Sequence, residues 1–92
     1  MQIEASDVKS SLPKKGFEVD NSHHIYFNHR YQGKITGAYT YVSHHMKSID
    51  ISIIKKMKNQ LRLDNIRQVV DLVNCPISGE EYNKILKSNG SL

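Results

Sequence analysis

Ninety-two residues with 38% apolar content make one small domain with a thin core, since domains run from about 50 to 200 residues and usual apolar usage is about 45–50%; a large enclosed substrate chamber is excluded. No run approaches the roughly 18 apolar residues of a membrane span and the polar first 15 residues do not resemble a signal peptide, so a soluble, cytoplasmic protein is expected, with no membrane partner. Thirteen Lys and Arg against nine Asp and Glu give a net charge of +4, and the single cysteine, Cys75, excludes an internal disulfide and a cysteine-based zinc cluster.

Ser6 and Asp7 open a short helical stretch with Val8 and Leu12 at i, i+4. Pro13 limits that stretch and Lys14-Lys15-Gly16 reads as a turn. Phe17-Glu18-Val19 alternate, and Asp20-Asn21-Ser22 is a turn cluster. From His23 to Tyr31, Ile25, Phe27 and Tyr31 fall on one side, with His24, Tyr26, Asn28 and Arg30 on the other. Gln32-Gly33 predicts a hairpin turn, and Lys34 to Ser43 a further strand with Ile35, Tyr39 and Tyr41 alternating against Thr36, Thr40 and Val42. Beyond Ser43 the period becomes helical. Asp50 caps a helix to about Leu61, in which Ile53, Ile54, Met57 and Leu61 share one arc and Lys55, Lys58 and Arg62 lie toward the other side. Asp64 is expected to cap a helix carrying Ile66, Val69, Val70 and Val73, stopped by Asn74-Cys75-Pro76. Ser78 and Glu81 form a capping box for a last helix with Tyr82, Ile85 and Leu86 inside and Gly90 after it.

The fold class is therefore α+β. A three-stranded antiparallel sheet carries helices on one face in the order α-β-β-β-α, with two more helices after it. His24, Tyr26, Asn28 and Arg30 are expected on the solvent face, where chemistry has room. Positive charge is concentrated early: residues 49–62 carry four bases and one acid, whereas 63–92 carry three bases and four acids. Lys14, Lys15, Lys55, Lys58 and Arg62 are the candidate phosphate contacts, set against the plainer possibility of a solubilising surface. The two C-terminal helices are expected to enlarge the core, with a docking or dimerisation surface as the other possibility. Cys75 reads as a packing residue.

Five histidines include two pairs, His23-His24 and His44-His45, and neighbours on a strand point to opposite faces. His24 belongs to the polar face. His23 and His29 share the parity of Ile25 and Phe27 and read as core-edge residues. Three roles remain open for this set: ordinary polar residues at strand ends, a metal site lacking any regular ligand spacing, and acid–base chemistry near neutral pH. In the last, an imidazole deprotonates a ribose 2′-OH beside cationic groups, and no metal or other cofactor is required.

The run Leu12-Pro13-Lys14-Lys15-Gly16-Phe17, followed by Asn21-Ser22-His23-His24-Ile25-Tyr26, resembles the opening of the HicA family of toxins. Thr40-Tyr41-Val42-Ser43-His44 and Gln60-Leu61-Arg62-Leu63 are similar to that family's third strand, its histidine-bearing loop and the end of its second helix. The resemblance covers roughly residues 6–63. It implies a double-stranded-RNA-binding-like domain over 1–63 with a helical extension over 64–92. It also implies a toxin of a toxin–antitoxin pair that cleaves mRNA as an endoribonuclease and is neutralised by a HicB-like antitoxin. By position the family's essential histidine corresponds to His24. Tyr26 and Arg30 are then auxiliary, and Ser22 and His44 are positioning groups. Asn21 stands where the family usually has Gly, and Pro13 interrupts a helix that is normally unbroken. Alternatives from other classes are a non-catalytic RNA-binding protein on the same fold and a His-rich metal-binding protein.

Overall fold

The computed structural model describes residues 3–74 and 76–92; the packing role expected of Cys75 falls outside them. A two-residue strand β1 (Ile3–Glu4) leads into helix α1 (Ala5–Ser11) and a 3-10 turn (Leu12–Lys15). Strands β2 (Phe17–Asn21), β3 (Ile25–Tyr31) and β4 (Lys34–Val42) form an antiparallel sheet in that order. A second short strand β5 (Ser48–Ile49) pairs with β1, and α2 (Ile51–Gln60), α3 (Ile66–Val73) and α4 (Gly79–Ser88) complete the chain. The α+β class, the three-stranded antiparallel sheet and the four helices agree with the sequence. The β1–β5 pair was not expected, since two-residue strands leave no periodic signal.

Pairing across β3 and β4 sets the two faces. Ile25 lies opposite Val42 and Phe27 opposite Thr40, and directly paired residues share a face. Because Ile25 and Phe27 point into the core, Val42 and Thr40 must as well; both are fully buried, as is Ala38. The face assignment of β4 is therefore the reverse of the expected one. Ile35, Tyr39 and Tyr41 are turned to solvent, at 59%, 37% and 37% exposure. The tyrosine hydroxyls make that tolerable, and the buried Thr40 hydroxyl is satisfied by donating to Gln60 Oε1 at 2.9 Å.

The Gln32-Gly33 turn is present, with positive φ at both residues as a two-residue I′ connection requires. Between Asn28 and Arg30 the register slips and β4 carries extra residues opposite His29. Gly37, at φ +91°, takes the left-handed step of that bulge. His29 is wholly buried there, well beyond a core-edge position. His23 is exposed: β3 begins only at Ile25, so strand parity does not extend back to it.

Helix ends are closed by side chains. Asp50 accepts from the Ile53 N–H at 3.2 Å, and the Ser78–Glu81 capping box forms as expected. For α3 the cap is Asn65, not Asp64. Asn65 Oδ1 accepts from the Gln68 N–H, while the Gln68 side chain returns to the Asp64 N–H. The far end of α3 is capped from α1 and the 3-10 turn: Ser11 Oγ donates to the Val73 carbonyl at 2.6 Å, and Lys15 Nζ donates to the Leu72 carbonyl. A cation is favourable at a helix C-terminus, where unpaired carbonyls converge.

The expected boundary at residue 63 is not a seam in the core. Val69, Leu72, Val73, Tyr82 and Leu86 are buried in one cluster with Val8, Phe17 and Phe27. The Tyr82 ring stacks on Phe17 at 5.5 Å and meets His29 edge-on at 4.9 Å. Its hydroxyl donates to the Leu61 carbonyl at the end of α2, at 2.7 Å. Burial holds the phenol well above its ordinary pKa. Tyr82→Phe is expected to keep the fold but orphan that carbonyl, costing about 1–2 kcal/mol; a urea unfolding midpoint reads it.

Candidate functional site

His24 sits just before β3 and its ring lies over the outer face of the sheet. It stacks on Tyr41 with centroids 5.2 Å apart and lies 6.3 Å from Tyr26. Tyr26 and Tyr41 are register partners whose rings approach to 5.2 Å. Three rings therefore make one aromatic cluster at one end of the sheet, with Tyr39 next along β4. The imidazole is half-buried. Its Nδ1 is closed off from solvent and has no hydrogen-bond partner among the described residues. Nε2 is therefore the nitrogen through which any exchange with a ligand must pass.

The loops at this end are tied together. The Ser22 N–H donates to the His24 carbonyl at 3.0 Å. His44 Nε2 donates to the Ser22 carbonyl at 2.9 Å, joining the loop after β4 to the turn before β3. Ser22 thus reaches His24 through its backbone, and His44 is joined to it through Ser22. His45 is exposed.

Arg30 is on the same face as Tyr26 but not at the same place. Six extended residues at about 3.3 Å each put it roughly 20 Å from His24 along the strand. There Arg30 Nε pairs with Glu18 Oε2 at 2.8 Å, and its guanidinium also reaches the Gly33 carbonyl at 3.2 Å. It cannot serve a phosphate held at His24, so its auxiliary role is withdrawn. Lys15 is likewise withdrawn as a phosphate contact, because it is buried with its ammonium on the Leu72 carbonyl. Lys14, Lys55 and Arg62 are exposed and Lys58 is half-buried. Arg62 occupies the left-handed position after α2, at φ +59°. No hydrogen bond or ion pair links any of these cations to His24 among the described residues.

No family model, curated protein or solved structure matches the chain. Its site is thus read from its own residues. Among the described residues no group of three or more His, Cys, Asp or Glu comes together to hold a metal ion. Among the described residues no helix is long and apolar enough to cross a membrane.

His29 shows the opposite use of a histidine on the same strand. Its Nε2 donates to Asn83 Oδ1 at 3.0 Å, leaving Nδ1 to accept from the Thr36 hydroxyl at 2.9 Å. Phe17 and Tyr82 close over the ring. Desolvation outweighs the Asn83 bond and lowers its pKa below 6.5. In the unfolded chain the ring takes a proton near 6.5, so below that pH the unfolded state binds more protons and stability falls. Stability is expected to be full above pH 6.5 and to decline toward pH 5. The urea midpoint of His29→Gln, measured over the same range, should show a flatter profile than wild type.

Proposed function

We propose that this chain is a HicA-like endoribonuclease with a double-stranded-RNA-binding-like fold, acting on mRNA through His24 and restrained by a HicB-like antitoxin. The observation that carries the reading is the His24 imidazole: it stands on the open face of the sheet, one nitrogen sealed and the other available, against the tyrosines of β3 and β4. The α-β-β-β-α order with helices on the opposite face and the motifs around His24 are consistent with it.

In such a reaction His24 Nε2 handles the moving proton, taking it from the ribose 2′-OH or giving it to the departing 5′-oxygen. The 2′-oxygen forms a bond to phosphorus, the P–O5′ bond breaks, and the products are a 2′,3′-cyclic phosphate and a free 5′-hydroxyl. The Ser22–His44 hydrogen bond fixes the loops on either side of the ring.

The purified chain should cleave single-stranded transcripts, and His24→Ala should slow cleavage by about 100- to 10,000-fold, the usual worth of a general acid or base. Induction of the wild-type gene should arrest growth, and His24→Ala should relieve it. Cleavage or arrest unchanged in that variant removes His24 from the mechanism.

Among the described residues no cation is ion-paired to His24, which favours a second reading, a non-catalytic RNA-binding protein on the same fold. RNA affinity that falls steeply with salt, without cleavage, would distinguish it.

A further inference from the structure

One face of α2 is unlike the others. Ile53, Lys56, Met57 and Gln60 recur at i, i+3, i+4 and i+7, one continuous stripe of a helix. Together with Tyr41 and Met46 they line an open cavity of about 170 Å³ between α2 and the end of β4. Met46, Ile53 and Met57 give it apolar walls, and Tyr41 borders it on the β4 side. The volume is below the roughly 300 Å³ at which drug-sized pockets begin, so the space suits one flat ring system.

Its two polar groups have different offers. Gln60 Oε1 is committed to the Thr40 hydroxyl at 2.9 Å. The amide is thereby fixed in one orientation, and its Nε2 has no partner among the described residues, so the cavity is presented with a donor. Lys56 is exposed and makes no ion pair or hydrogen bond among the described residues. Aliphatic and aromatic walls, a fixed donor and a cation at the rim are complementary to a nucleotide: a planar base, a carbonyl acceptor on its edge and a phosphate. Tyr41 borders the cavity while its ring packs against His24 and Tyr26, each at 5.2 Å, so a base seated there lies one side chain away from the imidazole.

We infer that the cavity between α2 and β4 is a base-binding subsite for single-stranded RNA, with Tyr41 as the stacking wall, Gln60 Nε2 as donor to a base carbonyl and Lys56 as the phosphate contact. The inference rests on the RNA reading above and adds to it a substrate class, a strand with splayed bases rather than a duplex recognised by shape. A fixed donor selects bases with a carbonyl on the edge that it meets, favouring uracil over adenine. That preference runs against stacking strength, which is greater for the purine, so stacking alone would not produce it.

The test is fluorescence anisotropy on the full chain with short 2′-O-methyl oligouridine and oligoadenosine, which bind but cannot be cut. Ile53→Trp fills the cavity from a half-buried position and should weaken oligouridine binding about tenfold or more, the scale of a lost stacked base. Lys56→Gln should lower the salt slope of binding by about one. Lys84→Gln on α4 should match wild type, and thermal melts check that each variant is folded. Binding of oligouridine by Ile53→Trp and Lys56→Gln equal to wild type overturns the subsite and leaves the RNA reading standing. Equal wild-type affinity for the two oligonucleotides overturns the role given to Gln60. No binding of either by wild type overturns the RNA reading and the subsite with it.

Discussion

The pairing of Phe27 with Thr40 is the constraint on which the rest of this structure depends. Phe27 is the most bulky apolar residue of the central strand, and the core must take it. Once it is inside, the pleat fixes its neighbours on both sides. His29 is carried into the core and Tyr26 out of it; on β4, Val42 and Ala38 turn in while Tyr39 and Tyr41 turn out. The aromatic cluster around His24 follows from the register of one hairpin. A slip by one residue would bury the tyrosines and expose the valine and alanine.

The same strand therefore puts two imidazoles into opposite environments. His29 is desolvated, doubly hydrogen-bonded and closed over by Phe17 and Tyr82; it links the sheet to α4 as a neutral group. His24 keeps one face on Tyr41 and one nitrogen open. Residue type alone predicts neither. Burial with a full set of partners makes the first a structural element, while incomplete satisfaction leaves the second free to engage a ligand.

Where the sequence had a strong local signal, the fold was legible. Alternation in β3, the Gln32-Gly33 turn, the Asp50 cap and the Ser78–Glu81 box are each decided within a few residues, and each is present. The facing of β4 was not legible, because tyrosine and threonine are both at home on either side of a sheet and only the partner strand decides. The fate of Lys15 depended on a carbonyl 57 residues away, and the distance between Arg30 and His24 depended on reading parity together with length along the strand. Lys56 and Gln60 carried no motif of their own. Their stripe on α2 is visible in the spacing, but the cavity it lines exists only because the end of β4 lies beside it in the fold.

The two donors from the start of the chain, Ser11 and Lys15, occupy the carbonyls at the end of α3. This makes the first and third helices chemically interdependent: shortening the polypeptide to residues 1–63 would remove the carbonyls that Ser11 and Lys15 reach and strip the Phe17 and His29 rings of their Tyr82 cover. Residues 64–92 thus share the core that backs the His24 surface. One continuous core runs from α1 to α4.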